Sequence, residues 1–140
     1  MERDQIEAII PHRPPFLWID RVAELEPGVR CVAWRFVDPE SPAFDGHFPA
    51  RPILPGIFLI EAMAQTAGVM LGSLAKPEAG GVSLLAAVNR FKFLKPVLPG
   101  QELRIETTKL TDAGSMAYIE GTISVDGATV ARGELSVVSA

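Results

Sequence analysis

The longest apolar segment of the chain covers residues 57–71 and contains one ionisable residue, Glu61, with an amide, Gln65, one turn later. A helix that is apolar on nearly every side is typical of a buried position rather than of an amphipathic surface helix. Fifteen residues are too few to span a bilayer. A carboxylate in such a helix must be paired, protonated or functional, because a bare charge is costly to desolvate. The pattern therefore predicts a buried central helix and makes Glu61 the first candidate for chemistry.

Around this helix, β-branched content and period-two alternation predict six strands. The alternation is clearest in residues 102–110, where Leu103, Ile105 and Thr107 are separated by charged or polar residues. The pair Asp126-Gly127 between the last two predicted strands indicates a two-residue hairpin turn. A short helix is expected over residues 2–10. The predicted strands cover residues 16–22, 30–37, 83–93, 102–110, 116–125 and 128–138.

This order of elements predicts an α+β fold in which an antiparallel β-sheet wraps around one long central helix. We expect residues 1–140 to form a single domain. A sheet that wraps around one helix leaves one side of that helix open, and a second copy of the same chain would close it. The pattern therefore also favours a homodimer.

Composition narrows the function classes. The chain has 140 residues, of which 48% are hydrophobic and 21% charged, and its formal net charge is −4. An acidic chain without runs of basic residues argues against non-specific nucleic-acid binding. One cysteine, Cys31, excludes an internal disulfide. The charged N-terminal residues contain no apolar signal-peptide core, so we expect a cytoplasmic protein.

The segment of residues 38–56 contains five prolines and leads into the central helix. Loops of this length in compact domains are usually functional. A histidine, His47, is available there as a general base, and Phe48 beside it is a candidate substrate contact. At the predicted helix start, the free amide of Gly56 can stabilise an oxyanion. With Glu61 as proton donor, the set indicates proton abstraction next to a carbonyl, with loss or gain of a hydroxyl.

Each of these residues also has a structural interpretation. Glu61 would pair with an arginine across an interface, and Gly56 would be a helix N-cap with nothing bound. Gln65 shares a helix face with Glu61, so it would orient Glu61, hold a water or substrate, or be a satisfied buried amide. We interpret His12, which lies in a proline-rich segment, as a structural loop residue.

Other chemistries lack their motifs. Two histidines without a paired His or Cys spacing argue against a metal site. The chain has no glycine-rich phosphate loop, which argues against a nucleotide cofactor, and no G-x-S-x-G nucleophile motif.

Short motifs along the whole chain carry a resemblance to a known family. They are Pro11-His12-Arg13, Phe16-Leu17, Asp20-Arg21-Val22, Gly46-His47-Phe48-Pro49, Pro52-Ile53, Pro55-Gly56, Glu61-Ala62-Met63-Ala64-Gln65, Phe93, Lys95-Pro96-Val97 and Pro99-Gly100. In this order they resemble the FabZ-type (3R)-hydroxyacyl-[acyl-carrier-protein] dehydratases, whose catalytic pair has the same spacing as His47 and Glu61. The chain departs from the family pattern at Pro14, Ala50 and Leu94.

The resemblance implies a hot-dog fold and a dimer that places His47 of one subunit beside Glu61 of the other, with hexamers as a common higher assembly. It implies that His47 moves the C2 proton, that Glu61 protonates the departing C3 hydroxyl, and that the Gly56 amide binds the thioester carbonyl. No metal or organic cofactor is implied. The implied partner is acyl carrier protein, and the candidate docking residues are Arg13, Arg90, Lys92 and Lys95. Each of them can equally be an ordinary solvated charge.

Two further functions stay open at this point. The same fold serves acyl thioesterases and CoA-thioester hydratases, and a non-catalytic acyl-carrier-binding protein would keep the same surface. The related FabA-type enzymes, which also isomerise the double bond, carry aspartate at the position of Glu61, so the glutamate favours simple dehydration.

Overall fold

The computed structural model of the chain describes residues 1–46, 50–74 and 83–139. The elements in these ranges are α1 (Arg3–Glu7), β1 (Arg21–Glu26), β2 (Arg30–Phe36), a 3₁₀ turn (Pro42–Phe44), α2 (Gly56–Gly72), β3 (Ser83–Phe93), β4 (Glu102–Ala113), β5 (Met116–Val125) and β6 (Ala128–Ser139).

The six strands form one antiparallel sheet in the order β1-β2-β4-β5-β6-β3, and α2 packs against β2, β3, β4 and β5. The predicted α+β arrangement, a sheet wrapped around one long helix, is confirmed. The hairpin at Asp126 and Gly127 is confirmed as well: their φ angles are 49° and 81°, and positive values at both positions are typical of a type I′ turn. The assignment of residues 1–140 to one domain stays a prediction.

Two predictions near the N-terminus were wrong in extent. The strand expected over residues 16–22 begins only at Arg21, because the backbone N–H of Trp18 donates a hydrogen bond to the Gln65 side chain rather than to a neighbouring strand. The helix expected over residues 2–10 is limited to Arg3–Glu7, and Pro11 follows soon after its end.

One face of α2 enters the core and the opposite stripe does not. Ile57 is exposed, and Ile60, Glu61, Ala64 and Gly68 are only half-buried, although most of these residues are apolar. Their spacing of three or four residues places them on one side of the helix. A single chain therefore leaves a mainly apolar stripe of α2 only partly covered. The buried face carries Leu59, Ala62, Met63, Gln65, Thr66, Ala67, Val69 and Met70.

Two glycines that face each other across β5 and β6 let the sheet pack closely. Gly121 pairs with Gly133, and both are buried. A Cβ at Gly121 would lie 2.7 Å from the Cγ of Met63 on α2, and one at Gly133 would lie 2.8 Å from the Cα of Phe91 on β3. The absence of side chains at this pair therefore makes room for the helix and for the neighbouring strand.

Strand β3 forms one edge of the sheet and is irregular. Its pairing with β6 shifts register twice, between Leu85 and Ala87 and between Asn89 and Lys92. Each shift inserts one extra residue, which is a β-bulge. Arg90, within the second bulge, has a φ of 52°. Most of the side chains of β3 are exposed, including the apolar Leu84, Leu85, Val88 and Phe93.

None of the helices in the described ranges combines the length and the apolar character needed to cross a membrane.

Candidate active site

The side chain of Gln65 ties α2 to the segment that precedes β1. It is 1% exposed, and its Nε2 donates hydrogen bonds to the carbonyl of Phe16 at 2.7 Å and to Oε1 of Glu61 at 2.9 Å. Its Oε1 accepts the backbone N–H of Trp18 at 2.7 Å. Since a backbone carbonyl can only accept and a backbone N–H can only donate, these two partners fix the orientation of the amide.

These bonds bear on the interpretations of Gln65. Both amide hydrogens are used by Phe16 and Glu61, and a role of Gln65 in binding substrate stays a prediction. Its buried amide acts on Glu61, whose carboxyl oxygen it holds in place. The alternative that Gln65 orients Glu61 is the one that the contacts support.

Glu61 is half-buried and has a second neighbour that sequence reasoning missed. His12 Nε2 lies 3.5 Å from Oε1 of Glu61, and the two side chains are 28% and 24% exposed. We interpreted His12 as a structural loop residue, but the fold brings it to the candidate acid across 49 positions of sequence. The position of His12 in the motif Pro11-His12-Arg13 could have pointed to a role in the site. Its contact with Glu61 could not be predicted, because the two residues are far apart in the sequence.

The segment that presents His12 is clamped by the next residue. Arg13 donates hydrogen bonds to the carbonyls of Glu7, Ile10 and His12 at 2.8, 2.9 and 2.8 Å, and its Nε lies 3.2 Å from the Glu7 carboxylate. The Pro14–Pro15 peptide bond that follows is cis. The guanidinium group of Arg13 thus holds the turn that carries His12, and the proposed part of Arg13 in carrier docking stays a prediction.

A cavity of about 280 Å³ adjoins Glu61 and His12. Its lining is mainly apolar, and it runs along α2 past small residues at intervals of three or four. A carboxyl group at the edge of an apolar cavity of this size is a suitable place for a small organic substrate. The residues that line the cavity include His12, Glu61, Ala64, Gly68, Gly72 and Leu85.

Gly56 is the first residue of α2, and the structure gives it a packing role. A Cβ there would lie 2.7 Å from Cε1 of Phe93, so the aromatic ring occupies the place of a side chain. Gly56 does not line the cavity at Glu61. Their separation of five positions corresponds to about 7.5 Å along the helix and a rotation of about 140°. Within one chain, the Gly56 amide and Glu61 are thus not brought together. His47 and Phe48 lie outside the described residues.

Basic side chains gather near the end of β3. Arg90, Lys92 and Lys95 are exposed, and Lys92 lies directly opposite Arg132 of β6. Within the described ranges, the acidic neighbour of Arg90 is Glu134, at 4.0 Å. Arg132 was not among the residues considered from the sequence, since its proximity to Lys92 depends on the strand register.

The groups with clear pKa shifts lie away from the cavity. Burial raises the pKa of the Cys31 thiol on β2 to about 12. Burial alone would raise the pKa of the Glu106 carboxyl, but hydrogen bonds from Arg30 and Arg104 outweigh it and keep that pKa below its usual value. Among the described residues, no cluster of His, Cys, Asp or Glu is suited to hold a metal ion.

Comparisons with known proteins agree with this arrangement. The family model of the FabA-like domain matches residues 10–134. The 3-hydroxyacyl-[acyl-carrier-protein] dehydratase FabZ of Geotalea uraniireducens is 41% identical over 100% of this chain and 97% of its own length. The protein of that name from Roseiflexus castenholzii is 46% identical over 94% of this chain and 91% of its own. The dehydratase heterocomplex ApeI:P from Xenorhabdus doucetiae matches with a TM-score of 0.83 and 23% identity, over 96% of this chain and 90% of that one.

The chain therefore belongs to the FabA-like family and, within it, to the 3-hydroxyacyl-[acyl-carrier-protein] dehydratases of the FabZ type. The family and the hot-dog fold that the motifs implied are confirmed. The roles of individual residues stay predictions.

Proposed function

We propose that the chain dehydrates (3R)-hydroxyacyl thioesters on acyl carrier protein to trans-2-enoyl thioesters. The observation that carries this proposal is the position of Glu61, whose carboxyl group is held by Gln65 at the edge of an apolar cavity. A carboxyl group held in this way is suited to deliver a proton to a hydroxyl group as it leaves.

The reaction assigns one task to each predicted group. His47 removes a proton from C2, and the electrons of that C–H bond form the C2–C3 double bond. The C3–O bond breaks, and the hydroxyl takes a proton from Glu61 and leaves as water. The Gly56 amide binds the thioester oxygen, on which negative charge develops, because free N–H groups at a helix start stabilise such charge. No metal or organic cofactor enters the proposal.

We infer that the complete site needs two copies of the chain. Gly56 and Glu61 lie on different sides of α2, so one substrate cannot contact both groups of the same helix. The exposed Ile57 and half-buried Ile60 of α2, with the exposed Val88 and Phe93 of the edge strand β3, provide a surface for a second copy outside the cavity. The occupant that we propose is therefore an identical chain, as a homodimer. Assembly of such dimers into hexamers, and the cytoplasmic location, stay predictions.

For the carrier protein, the proposed contact is the basic cluster made of Arg90, Lys92, Lys95 and Arg132. Like charges directly opposite each other in a sheet are destabilising, which gives the pair of Lys92 and Arg132 no evident structural purpose. An acidic partner would relieve this repulsion and would be attracted to the cluster despite the acidic net charge of the chain.

The experiment that tests the reaction follows two signals with a 3-hydroxyacyl thioester on carrier protein as the substrate. Enoyl absorbance reports dehydration, and free thiol reports hydrolysis of the thioester. We expect enoyl product without thiol release in the wild type and loss of that product in Glu61→Gln. Glu120→Gln, which changes an exposed glutamate on β5, is the matched control and should keep full activity.

The other outcomes identify the alternatives. Thiol release by the wild type would assign the chain to the thioesterases. Carrier binding with neither signal would indicate a non-catalytic binding protein. Full dehydratase activity in Glu61→Gln would refute the role of Glu61 as the acid.

A further inference from the structure

Two side chains, from different parts of the fold, approach the same oxygen of Glu61. Gln65 Nε2 donates to Oε1 at 2.9 Å, and His12 Nε2 lies 3.5 Å from that same atom. No hydrogen bond from the described residues reaches the other carboxyl oxygen, Oε2. The two oxygens of Glu61 are therefore not equivalent in this structure.

The His12 ring is held in a defined orientation. The carbonyl of His12 accepts a hydrogen bond from the Arg13 guanidinium group, and its ring stacks on Phe16 with 6.3 Å between centroids and 19° between planes. Phe16 is in turn fixed through its carbonyl, which accepts a hydrogen bond from Gln65. One network thus positions both groups that approach Oε1.

The surroundings of His12 also distinguish its two ring nitrogens. Its Nδ1 is buried and has no hydrogen-bond partner among the described residues. A proton on Nδ1 would leave a buried donor unpaired, whereas a proton on Nε2 points towards the Glu61 carboxyl group. The geometry favours the tautomer that carries its proton on Nε2.

We propose that His12 is a positioning residue which, together with Gln65, keeps Oε1 of Glu61 as an acceptor and so assigns the transferable proton to Oε2. This inference rests on the proposed function, in which Glu61 is the general acid. If either oxygen of Glu61 could carry the acid proton, the carboxyl group would have two protonated forms. Only one of these forms would direct its proton to the substrate. Fixing one oxygen removes the unproductive form.

Among the described residues, few charged groups surround this pair. From α1 and the turn after it come Glu7 and Arg13, which pair with each other. From β3, the described residues that line the cavity, Ser83, Leu84 and Leu85, carry no charge. After substitution of His12, the alkaline limb of the pH profile therefore reports on the proposed acid Glu61, while the proposed base His47 governs the acid limb.

The test compares two substitutions that differ by one carbon in the reach of the amide. His12→Gln places an amide nitrogen near the position of Nε2, whereas His12→Asn reaches only the position of Nδ1. We expect His12→Asn to lower kcat about tenfold or more with KM changed less than about twofold, since misplaced catalytic groups cost turnover. His12→Gln should stay within about threefold of the wild type, because its amide nitrogen can approach Oε1 as Nε2 of His12 does.

The pH dependence of kcat distinguishes a positioning role from a merely structural one, because a structural role would leave it unchanged. The alkaline limb of kcat reports the proposed acid, so loss of the His12 contact at Oε1 should change that limb in His12→Asn. The alkaline limb of kcat should be unchanged in His12→Gln. Thermal unfolding and light scattering establish that each variant is folded and assembled as the wild type is.

The outcomes separate this inference from the proposed function. If Glu61→Gln is inactive while His12→Asn keeps the wild-type kcat and pH profile, the positioning role is refuted and the dehydratase mechanism stands. Equal loss in His12→Asn and His12→Gln with an unshifted profile also refutes it, since that result indicates packing alone. Activity in Glu61→Gln would instead refute the underlying assignment of the acid.

Discussion

Replacing Gln65 by methionine tests how the site and the fold depend on each other. Methionine has a similar length and no hydrogen-bond donor, so the substitution removes three bonds and little volume. The backbone N–H of Trp18, which is buried, would lose its only acceptor among the described residues. The carbonyl of Phe16 and the carboxyl group of Glu61 would each lose a donor.

The magnitude follows from these three losses. A buried donor left unpaired costs about 1–3 kcal/mol, and each of the other two bonds contributes about 0.5–1.5 kcal/mol. The Phe16 and Glu61 groups are only partly buried, so water replaces part of their loss. We expect Gln65→Met to lower the free energy of unfolding by about 2–4 kcal/mol. That is a large share of the roughly 5–15 kcal/mol that stabilises a typical domain.

The assay is urea unfolding at a fixed protein concentration, because association of chains would itself shift the transition. Gln101→Met is the matched control: its side chain accepts one exposed hydrogen bond from the backbone of Leu98, so its loss should cost under about 1 kcal/mol. An equal effect of both substitutions would refute the importance of the buried network. We also expect turnover to fall in Gln65→Met, since Glu61 loses the donor that orients it.

Three further outcomes follow from the structure. Gly133→Ala should destabilise the fold by about 1–3 kcal/mol and Gly121→Ala by less, because the first meets backbone and the second a methionine side chain; equal losses in urea unfolding would contradict this. Cys31, with its pKa raised to about 12 by burial, should resist iodoacetamide at pH 8 until the chain is unfolded, and rapid labelling of the folded protein would be inconsistent with that burial. Lys92→Glu should raise KM for a carrier-bound substrate but leave a pantetheine thioester unaffected, and an equal change for both would rule out carrier docking at this cluster.

Much of the fold could be predicted because it depends on local pattern. The predicted bounds of β3 and β5 agree with the structure, and the central helix differs by one residue at each end. Turn chemistry identified the hairpin at Asp126 and Gly127, since these residue types tolerate a positive φ. Glu61 and Gln65 were singled out together because a spacing of four places them on one helix face.

The remaining features depend on contacts between distant residues. The bond from Trp18 to Gln65 keeps residue 18 out of the sheet, so β1 begins later than predicted and continues to Glu26. No periodicity within residues 16–22 signals a side-chain acceptor from another element. The approach of His12 to Glu61 and the pairing of Lys92 with Arg132 likewise arise only after folding. Gly56 was correctly placed at the helix start, but its close contact with Phe93 could not be read from the sequence.

The two bulges of β3 have a consequence for how copies of this chain can associate. They divide the pairing with β6 into short regular runs, of which none exceeds three residues of β3. An edge of this kind bends and cannot serve as a long, straight template for further strands. Growth of open fibrils from this edge is therefore disfavoured, even though the edge is rich in exposed apolar side chains.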